Sequence, residues 1–212
     1  MKRLSFSKFS LCILCASVSL WFGCRHAASS QSTNRPLTPK AAQIVAGAKA
    51  EAERAPTYDA NYYRMAYPMG DVPKERGACT DVVVRALRTA KIDLQQKIHE
   101  DMKQNFAVYP KRYRLKKPDS NIDHRRTANH LVFLKRHAKS LPLGTTGKDA
   151  ATWQPGDLVY WKLPSGLGHC GVLSDRTNAV GLPRVIHNLS RAQEEDCLTA
   201  WQITGHFRYP KG

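Results

Sequence analysis

The stretch RGACTDVVVRALRTA, from Arg76 to Ala90, decides the fold of this chain. It predicts a helix directly after Gly77, because apolar residues recur there at spacings of three and four and form one face. That face consists of Cys79, Val82, Val83, Ala86, Leu87 and Ala90. Asp81 suits the positive end of the helix dipole. A cysteine therefore stands at the N-terminal edge of the buried face.

Further helices and a set of short strands are predicted around this helix. Thr38 and Pro39 are typical of an N-cap and a first helical turn, so a helix is expected from there to about Arg54. The other expected helices cover 94–105 and 127–138, with loops over 55–78 and 109–126. The expected strands, separated by turn-forming residues, cover 157–162, 169–174, 184–188 and 203–209. Helices followed by strands indicate an α+β domain with an antiparallel sheet.

The N-terminal residues indicate an exported protein. Positive residues near the start precede the apolar segment 11–23, which is shorter than a membrane span and typical of a secretory signal peptide. WFGC, ending at Cys24, resembles the cleavage box of bacterial lipoproteins, so we expect a signal peptide over 1–23 and a lipid on Cys24. Ordinary cleavage near Ala27 or Ala28 and an uncleaved anchor are the alternatives.

The charge of the chain favours an anionic partner. The formal net charge is +16 over 212 residues, and +13 remains once residues 1–23 are removed. We expect a flexible tether over 24–38, an N-terminal helix within 39–57 and one further domain over 58–212. The expected partners are peptidoglycan or another anionic envelope polymer, and the membrane through an N-terminal lipid. The expected location is the bacterial cell envelope, as a periplasmic protein or an outer-membrane lipoprotein.

Nucleic acid, metals and cofactors are not expected partners. The basic stretch PKRYRLKK, 110–117, accompanies no nucleic-acid-binding motif. Beyond the predicted lipid site the cysteines are Cys79, Cys170 and Cys197, and no close Cys/His spacing typical of a metal site remains among them. In an oxidising compartment Cys170 and Cys197 can pair and leave Cys79 free, although spacing alone does not establish a disulfide.

Cys79 is a candidate nucleophile, because a helix N-terminus and a nearby imidazole both favour the thiolate. His169 opens a predicted strand between glycine neighbours, which allow another group to approach closely. His187 lies on the next strand, and either it or Asn188 is expected to orient His169, since adjacent strand residues face opposite sides. A buried core thiol and an ordinary strand histidine are the alternative interpretations.

Taken in order, the motifs GACTD, GDLV, HCG and VIHN resemble the NlpC-type papain-like cysteine peptidases of bacterial cell walls. With YPMGDVP, DLQQKIHEDM and NIDHRR they also resemble, over about residues 58–209, the bacterial family named domain of unknown function 1287. The resemblance implies a papain-like α+β fold, with N-terminal helices packed on a C-terminal antiparallel sheet.

The resemblance also implies roles for individual residues. Cys79 would be the nucleophile, His169 the general base and later the acid, and His187 the residue that orients His169. The Cys79 N–H would contribute to an oxyanion hole, and Tyr67 would assist the site. Cys170 stands where a branched aliphatic residue is usual, and GACTD replaces the usual DCSG, which leaves the substrate preference open.

These features together predict an exported cysteine hydrolase that cleaves amide bonds in peptidoglycan stem peptides through a Cys79 thioester. An inactive envelope-binding lipoprotein of the same fold and an acyltransferase that uses the same thioester are the alternatives. The dense polar group Asp123, His124, Arg125 and Arg126 either lines the substrate cleft, where arginine binds carboxylates, or closes a loop through caps and salt bridges. The structural interpretation is favoured.

Overall fold

A computed structural model describes residues 37–111 and 116–211. The predicted signal peptide, the lipid site at Cys24, most of the 24–38 tether and the middle of the basic stretch 110–117 lie outside the described residues. Within the described ranges, no helix combines the length and apolar character needed to cross a bilayer.

The described part of the chain has helices in its first half and a sheet in its second. The helices are α1 (Pro39–Arg54), α2 (Cys79–Thr89), α3 (Leu94–Asn105), α4 (Thr127–His137) and α5 (Gly147–Ala150). The strands are β1 (Thr57–Tyr58), β2 (Arg76–Gly77), β3 (Lys139–Ser140), β4 (Leu158–Lys162), β5 (Gly168–Thr177), β6 (Pro183–Asn188), β7 (Ala192–Glu195) and β8 (Gln202–Arg208). Strands β1 and β2 form a short parallel pair, and the others form one antiparallel sheet in the order β3-β8-β4-β5-β6-β7. The α+β prediction is confirmed.

Helix α1 begins where the sequence predicts and shares its core with α2. The Thr38 hydroxyl accepts a hydrogen bond from the Ala41 N–H at 3.2 Å, and the following proline lies in the first turn. Ile44 and Ala48 of α1 are buried in the same apolar cluster as Leu87 of α2. Because the two helices cover one another, α1 is part of the domain core.

The sheet separates two apolar clusters. The cluster beneath α1 and α2 contains the strand residues Leu158, Tyr160, Cys170, Val172, Ile186 and Phe207. The cluster on the other face contains Trp153, Val159, Trp161, Leu173, Val185, Cys197 and Leu198. Consecutive strand residues alternate between the two, as the period of two in a strand requires. The predicted apolar face of α2 is buried throughout.

The suggested pairing of Cys170 with Cys197 is wrong. Both thiols are free and buried. Cys170 belongs to the cluster under α2, whereas Cys197 belongs to the cluster on the opposite face. The sheet therefore lies between the two sulfur atoms.

Several parts of the chain differ from the sequence predictions: strands β1 and β2 lie in the expected loop 55–78, helix α5 was not predicted, and two further regions also differ. The edge strands β3 and β7 were not predicted, since KS and AQEE lack the β-branched and aromatic residues typical of strands. The expected loop 109–126 contains a buried 3-10 turn over Asp123–Arg125. In both cases, contacts with distant parts of the chain outweigh local preference.

Candidate active site

Cys79 is the first residue of α2, and Ala78 is its N-cap. Alanine offers no side-chain acceptor, so the cap is one-sided: the Ala78 N–H donates to Asp81 Oδ2 at 2.6 Å. The first N–H groups of a helix have no acceptor within the helix, and they lie at the positive end of its dipole. The Cys79 thiol is therefore next to groups that favour negative charge.

Two residues at the start of β5 contact the Cys79 sulfur. The Cys170 thiol donates a hydrogen bond to it and lowers the pKa of Cys79 well below its ordinary value, with help from the His169 imidazole and the Cys170 N–H and against the effect of burial. Burial and the hydrogen bond to Cys79 raise the pKa of Cys170 well above its ordinary value. Cys79 is thus the thiolate of the pair and Cys170 the proton donor.

A row of side chains continues from His169 to the sheet edge. His169 Nε2 lies 2.9 Å from His187 Nδ1, and His187 Nε2 lies 2.7 Å from Glu195 Oε2. Because an ionised carboxylate only accepts, His187 donates from Nε2 and accepts at Nδ1, so His169 donates from Nε2. Burial and the neighbouring His169 lower the pKa of His187, which keeps its ring neutral. Since Nε2 of His169 is used for His187, Nδ1 is the ring nitrogen left for the hydrogen bond with the Cys79 sulfur.

Two tryptophans enclose the imidazoles. The Trp161 ring stacks on His169 at a centroid distance of 5.6 Å, and Trp201 contacts both imidazoles edge-on, at 5.5 Å from His169 and 5.9 Å from His187. His169 and His187 are buried, whereas the Glu195 side chain is 43% exposed. The aromatic walls hold the ring orientations and keep water away from them.

His187, and not Asn188, contacts His169. Asn188 Nδ2 donates instead to the carbonyls of Pro56 at 3.0 Å and Gly77 at 2.8 Å. The two neighbours on β6 face opposite sides of the sheet, as a strand requires. Asn188 thereby ties β6 to the segment that leads into Cys79.

The structure does not bring Tyr67 to the thiol. Its ring packs edge-on against His99 of α3 at 5.0 Å. Tyr58 of β1 lies beside the thiols instead: burial raises the pKa of Tyr58, and so does the negative charge of Cys79. Tyr58 is 41% exposed and, with its neighbours on β1 and β2, lines a cleft of about 340 Å³. The lining residues of this cleft do not include the Cys79 side chain.

Arg125 is a buried structural residue. It donates to Asp81 from Nε at 3.0 Å and from Nη2 at 2.9 Å, and it also donates to the carbonyls of Asp59, at 2.7 Å, and Asn61. Since Asp81 caps α2, this one guanidinium joins the first turn of α2 to the loop after β1.

The other members of the NIDHRR motif are also internal. Asp123 and His124 are buried, and burial together with repulsion from His130 lowers the pKa of His124 to about 3. Arg126 forms an ion pair with Asp123 at 3.7 Å. These contacts close a loop onto α2 and α4, which agrees with the structural interpretation of this motif.

A larger cavity lies away from Cys79. Its volume is about 900 Å³, and it is lined by the start of α1, the segment before β4 and the end of β8. None of the side chains in the row from Cys79 to Glu195 is among its lining residues. In the described part of the chain, this larger cavity and the candidate catalytic residues therefore lie in different places.

Sequence reasoning missed Glu195, Trp161, Trp201 and Tyr58. Glu195 belongs to a strand that local pattern does not predict, and Tyr58 is one of several tyrosines in a loop-rich segment. The signal available for Glu195 was its place in EED, the only run of three acidic residues in a basic chain.

Replacement of Cys170 by valine is expected to raise the pKa of Cys79, because the thiolate loses the hydrogen bond that lowers this pKa most. Alkylation by iodoacetamide follows the thiolate fraction, so its rate profile should move to higher pH and the rate at mildly acidic pH should fall. Cys197→Ala, a buried thiol on the other sheet face, is the matched control and should leave the profile in place. An unchanged profile in Cys170→Val would contradict the assigned hydrogen bond.

Comparison with known proteins identifies relatives of this chain. The sequence model of a family described as "Domain of unknown function (DUF1287)" matches residues 45–209. The chain is similar to "Uncharacterized protein YijF" of Escherichia coli (strain K12), with 50% identity over 167 residues that cover 78% of this chain and 80% of the relative. No solved structure matches. The matched range contains α2 and the strands that carry His169, His187 and Glu195.

Proposed function

We propose that this chain, which belongs to the family described as Domain of unknown function (DUF1287), is a papain-like cysteine hydrolase that cleaves amide bonds. The observation that carries the proposal is the continuous row from the Cys79 sulfur through His169 and His187 to Glu195. A thiolate, an imidazole and an orienting group in this order are the components of nucleophilic catalysis by cysteine.

In the first step the Cys79 thiolate attacks the substrate carbonyl carbon and forms a tetrahedral oxyanion. The N–H groups at the start of α2, that of Cys79 among them, would stabilise the developing charge. Protonated His169 then gives its Nδ1 proton to the leaving nitrogen, the C–N bond breaks and a Cys79 thioester remains.

In the second step water attacks the thioester. His169 Nδ1 takes a proton from the water, whose oxygen bonds to the thioester carbon. Collapse of this intermediate breaks the C–S bond, releases the carboxylic acid product and regenerates the Cys79 thiolate beside protonated His169.

His187 and Glu195 position His169 for both steps. The His187 Nδ1 acceptor holds the His169 Nε2–H at 2.9 Å, so the ring keeps Nδ1 directed at the sulfur. When His169 gains a second proton, its positive charge is delocalised toward the Glu195 carboxylate through two short hydrogen bonds. Neither His187 nor Glu195 touches the reacting atoms in this scheme.

The substrate class that fits this site is an anionic peptide, such as a peptidoglycan stem peptide in the bacterial envelope. The chain carries 33 lysines and arginines against 17 acidic residues, which draws anionic polymers to it. Arg76, whose side chain is 58% exposed, also lines the cleft beside Tyr58; it pairs with Asp59 at 3.0 Å, and a substrate carboxylate would compete with Asp59 for it. An exported, lipid-tethered protein of the periplasm or outer membrane is part of the same proposal.

Transfer of the acyl group to an amine is the second candidate function. Cys79 is only 5% exposed, and the tryptophan walls exclude water from the imidazole side, which protects a thioester from hydrolysis. A digestion with and without an added amine acceptor separates the two reactions, because transfer yields an amide product and hydrolysis a free carboxylate.

The proposed function is tested on isolated sacculi. Purified protein is expected to release soluble peptide fragments with new amino and carboxyl termini, which mass spectrometry identifies and which assign the scissile bond. His169→Ala protein, lacking the general base and acid, is expected to release at most about 1% as much. If wild-type protein leaves sacculi of several bacterial species intact across pH 5 to 9, it is not a hydrolase of this polymer.

A further inference from the structure

Three metal-binding side chains converge at the end of the row that lies farthest from Cys79. A ring nitrogen of His187, a carboxylate oxygen of Glu195 and the sulfur of Cys197 all lie within 4.8 Å of one another. Pairing of β6 with β7 sets His187 opposite Gln193, which brings Glu195 to the same side of the sheet. Cys197 follows just after β7. The set is assembled by strand pairing, and for this reason the sequence predicted no metal site.

The donor set selects the kind of ion. Nitrogen, carboxylate oxygen and thiolate sulfur are the ligands of Zn²⁺, whereas Ca²⁺ and Mg²⁺ take oxygen ligands almost exclusively. Three protein ligands leave a fourth tetrahedral position for water. Cys197 forms no disulfide, so its sulfur is available as a ligand atom.

The surroundings of the three side chains also suit a cation. Glu195 and Asp196 place negative charge beside Cys197, whereas Glu194 forms an ion pair with Arg176 at 3.3 Å. The neighbouring Arg184 donates a hydrogen bond to the backbone carbonyl of Glu194 at 3.2 Å, and its guanidinium lies 3.9 Å from the Glu194 carboxylate. With the Glu195 side chain 43% exposed, an ion can enter from solvent through this carboxylate.

We propose that His187, Glu195 and Cys197 bind a zinc-class divalent ion, and that this ion switches off the Cys79 thiolate chemistry. The binding stands on the contacts of these three side chains, whereas the inhibitory effect rests on the proposed function. The His169 ring, 2.9 Å from His187 Nδ1, would be the group that supports the metal-bound imidazole from behind.

Coupling to Cys79 follows from the place of two of the ligands in the row. His187 and Glu195 position His169 in the proposed mechanism, and the 2.7 Å hydrogen bond from His187 Nε2 to Glu195 holds the His187 ring. An ion bound between these two side chains would replace that hydrogen bond and take the carboxylate out of the row. His169 would then lose the orientation toward Cys79 that both steps of the hydrolysis require.

Binding is tested with Co²⁺ on Cys79→Ala protein, which removes the nucleophile as a competing ligand. One equivalent of Co²⁺ is expected to give a thiolate-to-cobalt charge-transfer absorption and the visible bands of a tetrahedral ion, and Zn²⁺ should displace it. Adding Cys197→Ser or Cys197→Ala should abolish the charge-transfer band and weaken binding at least about 100-fold. Equal absorption with and without Cys197, or no stoichiometric binding, would overturn the site.

The effect on Cys79 is tested by alkylation kinetics and by activity of the protein with Cys79 intact. Zn²⁺ at one equivalent is expected to suppress sacculus hydrolysis in wild-type protein and to leave Cys197→Ala active. Without metal the two proteins should have the same activity. Stoichiometric binding with unchanged hydrolysis would refute the switch and leave the site standing. Binding by a protein that hydrolyses nothing would refute the proposed function alone.

Discussion

Replacement of Cys79 by alanine is expected to lower amide hydrolysis by a factor on the order of 10⁴ to 10⁶, because no thioester can form. Water would then have to attack the carbonyl directly, without a general base in position for that geometry. The helix N–H groups at the start of α2 remain and account for any residual rate. The measurement is the initial rate of fragment release from sacculi, in the presence of a chelator that removes adventitious metal.

The matched control for this variant is Cys197→Ala. Cys79 and Cys197 are both buried free thiols, but Cys197 packs in the cluster on the opposite face of the sheet from α2. Each substitution removes one sulfur atom from a packed interior, so both should cost about 1 kcal/mol of unfolding free energy. Only Cys79→Ala should lose activity. Full activity in Cys79→Ala would exclude a Cys79 thioester and therefore the proposed mechanism.

Replacement of Arg125 by methionine is expected to destabilise the protein by about 3 to 5 kcal/mol, because it leaves the Asp81 carboxylate buried and unpaired. The exposed fractions of these two side chains are 1% and 4%, so water cannot replace the lost partner. The carbonyls of Asp59 and Asn61 lose their donor as well. Urea unfolding monitored by circular dichroism measures the change.

A second substitution separates the buried charge from the lost packing. Asp81→Asn in the Arg125→Met background removes the unpaired charge and should recover part of the lost stability. Arg136→Ala is the control, since Arg136 is 36% exposed and its partner Asp101 keeps hydrogen bonds from Tyr109 and His137. Its cost should be about 1 kcal/mol or less. If Arg125 instead clamped a substrate carboxylate, Arg125→Met would keep its stability and lose only substrate binding.

Local features were predictable because they depend on neighbours along the chain. The cap formed by Thr38, the proline after it and the spacing of apolar residues in α2 determine where those helices begin and which face is buried. The same reasoning found the central strands, whose aromatic and β-branched residues alternate between two faces. Periodicity also established that only one of His187 and Asn188 could contact His169.

The pairing of strands distant in sequence decided which tyrosine lies near Cys79, a question that the local sequence pattern left open. The pairing of β1 with β2 places Tyr58 opposite Gly77, two residues before Cys79. Tyr67 instead packs against His99 of α3. Nothing in the segment 55–78 distinguishes one tyrosine from another by spacing. The choice between them depends on the β1–β2 register.

The sequence by itself determined the helix that carries Cys79, the two histidines on neighbouring strands and the family to which the chain belongs. Only the tertiary structure decided that Cys170 hydrogen-bonds to Cys79 and that Glu195 completes the row behind His187. The physical reason is that a helix is held by contacts three and four residues apart, whereas an edge strand such as β7 exists through hydrogen bonds to another strand. Its residues acquire their neighbours, and hence their chemistry, only when the sheet forms.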